Sequence, residues 1–311
     1  MLKLHVTGSW YDREDNAAFI KDLRERGYDV LCDWTSTDHT DKTATEQFHN
    51  IDAAIHAADV CVFNLNGMVK DGVERETASS YIQFGMALGA HKPCVVLDPL
   101  KTTRESKEHR PPALTNLMGW ALTHLPGTVL WTDTMAEAID AIPQVKWLAP
   151  APPTVVPPSP RIHVTGSWYA QPENATLIEH FTKGGYHVLC DWTTKTHQDK
   201  SKPDQLLSIL HAIDAADACF FSLDGMVRDG VERTTAASYI QFGVGLGANK
   251  KMVVFDPLKT TRDSEKAHRP GCPPAFNNNS GQALLDLPGQ VEWLADFSEA
   301  EGALAKLAAS S

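Results

Sequence analysis

The stretch His5-Val-Thr-Gly-Ser-Trp-Tyr11 recurs as His163-Val-Thr-Gly-Ser-Trp-Tyr169, 158 positions later, and the offset persists along the chain. It carries GYDVLCDWT at Gly27–Thr35 onto GYHVLCDWT at Gly185–Thr193. It also carries AADVCVFNLNGMVKDGVER at Ala57–Arg75 onto AADACFFSLDGMVRDGVER at Ala215–Arg233. SYIQFGMALGA maps onto SYIQFGVGLGA, and DPLKTTR at Asp98–Arg104 repeats unchanged at Asp256–Arg262. Self-similarity of this extent reads as a tandem duplication of one domain, with copies at 1–148 and 161–311. Between them APAPPTVVPPSP at Ala149–Pro160 is too rich in proline for a helix or a central strand and reads as a semi-rigid polyproline linker.

Within the first copy short β-branched runs alternate with segments that carry a 3.6-residue apolar stripe. Strands are expected at Leu2–Thr7, Tyr28–Asp33, Asp59–Leu65, Pro93–Leu97 and Val129–Trp131. Helices are expected at Glu14–Arg26, Thr45–Ala57, Thr77–Leu88 and Met135–Ile142. Alternation of this kind implies parallel β-α-β units. The fold class is therefore α/β: two tandem doubly wound, mostly parallel five-stranded sheets of the flavodoxin or Rossmann type. Such sheets bind ligands at the carboxyl ends of their strands.

Composition narrows the function. The 311 residues include 28 basic and 39 acidic side chains, a net charge of −11, which gives no electrostatic reason to bind a nucleic-acid polymer. No apolar run approaches the ~20 residues of a membrane helix, and the N-terminus enters a strand pattern directly, so a cytoplasmic protein is expected. The six cysteines show neither zinc spacing nor a disulfide framework and read as reduced, mostly buried thiols. No metal site is expected.

Four loops at strand carboxyl ends supply the candidate residues. Gly8, Ser9 and Trp10, with Gly166, Ser167 and Trp168, follow the first strand. The tryptophan either offers a flat face to a ring or closes the strand-helix corner. Asp33 and Asp191 end the second strand, where a carboxylate either accepts from a sugar hydroxyl or shapes a turn. Asp59 and Asp217 begin the third strand and read as turn or helix-end residues. Asp71 and Glu74, with Asp229 and Glu232, precede a helix and either hold a hydroxyl-rich ligand or face the helix dipole. Lys101 and Arg104, with Lys259 and Arg262, either bind a phosphate or bridge the halves. Neither a dinucleotide glycine fingerprint nor a P-loop is present.

In its order of motifs each copy resembles a nucleoside 2-deoxyribosyltransferase domain: HVTGSWY, ADVCVFNLNG, YIQFGMALGAHKP and, in the first copy, NLMGW at Asn116–Trp120. The resemblance implies a nucleoside or nucleotide ligand and no cofactor. It further implies cleavage of the N-glycosidic bond by a helix glutamate two residues before a glycine. Gly85 and Gly243 set that register, and the glutamate's positions hold Gln83 and Gln241, which are neutral and supply no carboxylate nucleophile. Asn116 matches a family site segment, while the second copy has NNSGQ there. Asp52 stands near a further family acid, whose counterpart in the second copy is Leu210. Three readings follow: a glycosyl-bond transferase or hydrolase using Asp71, Glu74, Asp33 or their mirrors; a non-catalytic nucleoside-binding protein; or a regulatory module presenting the DPLKTTR loops. Family oligomers pair domains, so the two halves are expected to form an intramolecular pseudo-dimer, with further homo-oligomerisation left open.

Overall fold

The computed structural model describes residues 1–66, 69–70, 73–74, 78–99, 128–147, 160–224, 227–228, 231–232, 236–257, 287 and 290–309. In the first half the main strands are β1 (Lys3–Thr7), β2 (Asp29–Val30), β3 (Val60–Asn64), β6 (Cys94–Leu97) and β7 (Val129–Thr132), with a small antiparallel pair, β4 (Val69–Lys70) and β5 (Val73–Glu74). Its helices are α1 (Arg13–Glu25), α2 (Thr37–Thr40), α3 (Ala44–Ala57), α4 (Ala78–Gly89) and α5 (Met135–Ala141). The second half repeats them. Its strands are β8 (Arg161–Thr165), β9 (His187–Val188), β10 (Ala218–Ser222), β11 (Val227–Arg228), β12 (Val231–Glu232), β13 (Lys251–Phe255) and β14 (Val291–Leu294). Its helices are α6 (Gln171–Lys183), α7 (Lys195–Gln198), α8 (Lys202–Ala215), α9 (Ala236–Gly247) and α10 (Ala300–Ala309).

Each main sheet has five parallel strands, in the order β2-β1-β3-β6-β7 and β9-β8-β10-β13-β14. The order reverses direction between β1 and β3, and between β8 and β10, which places a topological switch point at their carboxyl ends. Alternation along the strands divides the core. Leu4, Val6, Val60, Val62 and Val95 pack on Phe19, Ile20 and Leu23 of α1 and on α5. Cys61, Phe63, Cys94 and Val96 face α3 and α4. Helix α1 ends at Gly27 with φ +89°, where the Tyr28 amide donates back to the Leu23 carbonyl at 3.1 Å. Gly185 ends α6 in the same way.

Two features differ from the sequence expectation. Strand β2 ends at Val30, since after the Leu31 amide meets the Leu4 carbonyl at 3.0 Å the chain enters a turn closed by the Ser36 amide on the Asp33 carbonyl at 3.1 Å. There Trp34, 7 % exposed, donates its indole N–H to the Val6 carbonyl at 2.7 Å and plugs the gap between β1 and β2. Helix α2 follows at once, capped by the Ser36 hydroxyl on the His39 amide. The pairs β4–β5 and β11–β12 also lie in segments read as irregular loops.

The halves join through α4 and α9, and the inner cores of both form one hydrophobic cluster that includes Phe63, Ile82, Phe84, Phe221, Ile240 and Phe242. The contact is reciprocal. A Cβ on Gly85 would collide with the Ile240 carbonyl and sit 3.0 Å from the Gly243 Cα, while one on Gly243 would collide with the Ile82 carbonyl. Gly89 lies against the Val244 carbonyl and Gly247 against the Met86 carbonyl. Since 82 and 240, 85 and 243, 86 and 244, and 89 and 247 are equivalent positions, the pairing is isologous about a pseudo-two-fold axis. The Gly-x-x-x-Gly spacing strips one face of each helix so that backbone meets backbone.

Helix propensity alone favours Gly→Ala by about 1 kcal/mol, but overpacking costs roughly 1–3 kcal/mol. Gly85→Ala and Gly243→Ala are therefore expected to lower the denaturation midpoint. Gly302→Ala, at an exposed position of α10 where an added Cβ meets nothing within 4 Å, is expected to raise it.

Candidate functional site

The switch point of the first half is built on a buried polar chain. His5, Thr7 and Gln83 line up on the α4 side of β1. The Thr7 hydroxyl donates to Gln83 Oε1 at 2.8 Å and, its proton used, accepts from His5 Nε2 at 3.0 Å. Burial pushes the His5 imidazole down to about 4, so it is neutral at pH 7. In the second half Thr165 holds Gln241 Oε1 at the same 2.8 Å, and His163, also pushed down to about 4 by burial, donates Nδ1–H to the Leu189 carbonyl at 3.2 Å. With its oxygen held, each glutamine is left its amide N–H groups for a ligand.

Beside this chain the loop after β1 turns into a short helix at Trp10–Asp12, capped by Ser9. Gly8 serves packing. A Cβ there would lie 2.5 Å from Asn16 Oδ1, and one on Gly166 would collide with Asn174. Asn16 Nδ2 donates to the Ser9 and Asp12 carbonyls at 3.3 and 2.9 Å, and Ser80 donates to the Gly8 carbonyl at 2.8 Å, so the turn is tied to both α1 and α4. Trp10 is not the corner-closing core residue, a place Trp34 takes. Trp10 is 54 % exposed and Trp168 55 %, and each leans on its buried neighbour, Trp34 or Trp192, at 6.2 Å between ring centroids. Arg13 lies 4.9 Å over the Trp10 ring; its counterpart is Gln171.

Asp33 and Asp191 are turn residues here. The Asp33 carboxylate accepts from the Thr35 amide at 3.1 Å, from the Thr35 hydroxyl and from Arg24 at 2.7 Å. Burial opposes its ionisation, but these donors outweigh burial and hold the carboxyl below its usual value. Asp191 makes the same turn with Thr193. Asp59 and Asp217 accept from the Lys3 and Arg161 amides at 2.8 Å, at the far end of the sheets. Asp52 pairs with His56 along α3 at 3.4 Å, and Leu210 is core. Glu74 and Glu232 lie on β5 and β12. Asp71, Asp229, Lys101, Arg104, Asn116, Lys259 and Arg262 lie outside the described residues. Five cysteines are free thiols, and burial raises Cys61 and Cys219 to about 12; Cys272 lies outside the described residues. No group of three metal-ligand side chains occurs among the described residues, and none of their helices is long and apolar enough to cross a membrane.

Sequence reasoning missed the Asn16 and Asn64 pair, although Asn16 and Asn174 are identical at the repeat offset. Asn64 donates to Asn16 Oδ1 at 3.0 Å, and Asn66 donates to Asp12 at 2.6 Å. The second half has Ser222, Asp224 and Ala170 in place of Asn64, Asn66 and Asp12, and Asn174 Oδ1 is buried without a partner among the described residues. No protein-family model, curated protein or solved structure matches the chain.

Restoring the amide with Ser222→Asn is expected to stabilise the protein, and Asn64→Ser to destabilise it, by about 1 kcal/mol each; urea midpoints decide the sign. The two buried histidines set a pH dependence. Unfolded imidazole takes a proton near pH 6.5, whereas the folded sites resist until about 4. The unfolded chain therefore binds more protons in that window. Their contribution is intact above pH 6.5 and is lost as pH falls toward 4, by about 3 kcal/mol per histidine. Urea titrations at several pH values are expected to show this slope, flattened in a His5→Asn, His163→Asn double variant.

Proposed function

We propose that this protein binds nucleosides or nucleotides, one site per half, at the carboxyl ends of β1 and β3 and of β8 and β10. In this reading it is a duplicated relative of the nucleoside 2-deoxyribosyltransferases with glutamine at the nucleophile's position. The observation that carries the reading is the repeated pairing of an exposed tryptophan with a fixed glutamine at the switch point. The indole supplies a stacking face for a base, worth roughly 1–3 kcal/mol per stacked base. The carboxamide, held by Thr7 or Thr165, donates to an oxygen of the sugar. A carboxamide neither attacks C1′ nor carries a covalent glycosyl intermediate, so double displacement through Gln83 or Gln241 is not part of the proposal.

A second reading keeps the bond cleavage and replaces the nucleophile by water activated by a carboxylate. It is favoured by Glu74 and Glu232, whose strands lead directly into the glutamine-bearing helices.

Purified protein incubated with deoxynucleosides, ribonucleosides and their 5′-monophosphates, with and without a second free base, separates the readings by chromatography. Binding without released or exchanged base, accompanied by tryptophan quenching that disappears in a Trp10→Ala, Trp168→Ala variant, is the expected result. Base release lost in Glu74→Ala, Glu232→Ala would establish the second reading. Absence of both binding and turnover would overturn the nucleoside assignment.

A further inference from the structure

A cavity of about 380 Å³ opens beside β2 of the first half, between α2 and α3, with Leu31, Cys32, His39, Lys42, Asn50 and Ala53 among its walls. Its lining includes Asp33, here a turn residue, but neither Trp10, Thr7 nor Gln83 of the proposed nucleoside site. Its floor is a strip of small side chains on α3, Ala53, Ala54 and Ala57. One wall is the Cys32 and His39 pair, with Sγ 3.8 Å from Nδ1. Burial, the larger influence, pushes the thiol up to about 11, and the charge of Lys42 acts against it. That charge also depresses His39, after burial. Lys42 lines the cleft; its charge also acts on Glu46, but neither its ammonium nor the Asn50 amide makes a hydrogen bond or ion pair among the described residues. Asp33 is already neutralised by Arg24 at 2.7 Å, and Asp38 is exposed at the mouth.

The duplication supplies an internal comparison. Cys190, Asp191, His197 and Lys200 preserve the wall, with Cys190 Sγ 3.5 Å from His197 Nδ1. The remaining space is treated differently. Lys200 donates to Ser208, which replaces Asn50, at 3.0 Å, and His211 replaces Ala53 on the floor. One copy of the same scaffold therefore ties its lysine to a serine and places an imidazole beside it, where the other leaves its lysine without a hydrogen bond among the described residues, next to an apolar strip.

We propose that the cleft beside β2 is a second ligand site, specific to the first half, which holds a small organic anion. Its carboxylate or phosphate meets Lys42 and Asn50, and its apolar body lies on Ala53, Ala54 and Ala57. The volume falls within the roughly 300–1,000 Å³ of small-molecule pockets, and the one lysine of its lining suits one anionic group.

The probes are phenyl phosphate, benzoate and neutral benzamide, titrated calorimetrically into the full chain. The expected result is saturable binding of phenyl phosphate or benzoate at one equivalent per chain, with benzamide at least tenfold weaker. Whichever anion binds more tightly identifies the acid. Lys42→Ala is expected to weaken binding at least tenfold. Ala53→His, which installs the residue the second half already accommodates, is expected to abolish it without lowering the melting temperature. Trp10→Ala is expected to leave it unchanged, which separates this site from the nucleoside site. Failure of both anions to saturate, or binding that survives Ala53→His, would overturn the proposal.

Discussion

The close approach of α4 and α9 is the constraint on which the rest of the molecule depends. Four glycines let backbone touch backbone, and around them two inner cores become one. Neither half carries a polar face where its α4 or α9 packs. Ile82 and Met86 are buried at the helix contact, as are Ile240 and Val244, while Phe84 and Phe242 stack on Phe63 and Phe221 of their own sheets. Apolar burial supplies the driving force, and the glycines supply the geometry that lets it operate without voids.

The same helix places the chemistry. Gln83 precedes Gly85 by two residues, about 200° around an α-helix of 3.6 residues per turn, so the face opposite the helix pair turns toward β1 and meets Thr7. A side chain that lies between its own sheet and a rigid intramolecular interface has little freedom. The buried hydroxyl fixes which end of the carboxamide faces inward. A carboxylate here would find the Thr7 hydroxyl as a donor too, so the scaffold would accept glutamate at this position.

Divergence between the halves touches both the core and the polar lining: Leu23, Phe48, Val62 and Cys94 become Phe181, Leu206, Phe220 and Met252. The strands, the tryptophan pairs, the threonine-to-glutamine bonds and the docking glycines are retained. Asn64, Asp12, Arg13, Asn50 and Ala53 become Ser222, Ala170, Gln171, Ser208 and His211. The core exchanges stay apolar, which a repacked interior accommodates, whereas the polar exchanges change which groups can hydrogen-bond. The halves thus share one architecture and differ in the hydrogen-bonding groups set beside it.

The repeat offset and the alternation of short β-branched runs with 3.6-residue stripes determined the duplicated parallel α/β organisation, because chain periodicity is a local property that sequence records directly. The glutamine positions were legible for the same reason, through the glycine two residues on. Other features were decided only by the tertiary structure. Trp10 and Trp34 are both tryptophans beside strand ends, yet one is exposed and the other buried, since only one of them reaches the Val6 carbonyl. The glycines of α4 read as helix residues until the second half brought Ile240 against them. Each of these outcomes depends on groups far apart in sequence, and a linear pattern carries no information about which distant donor, carbonyl or ring will arrive.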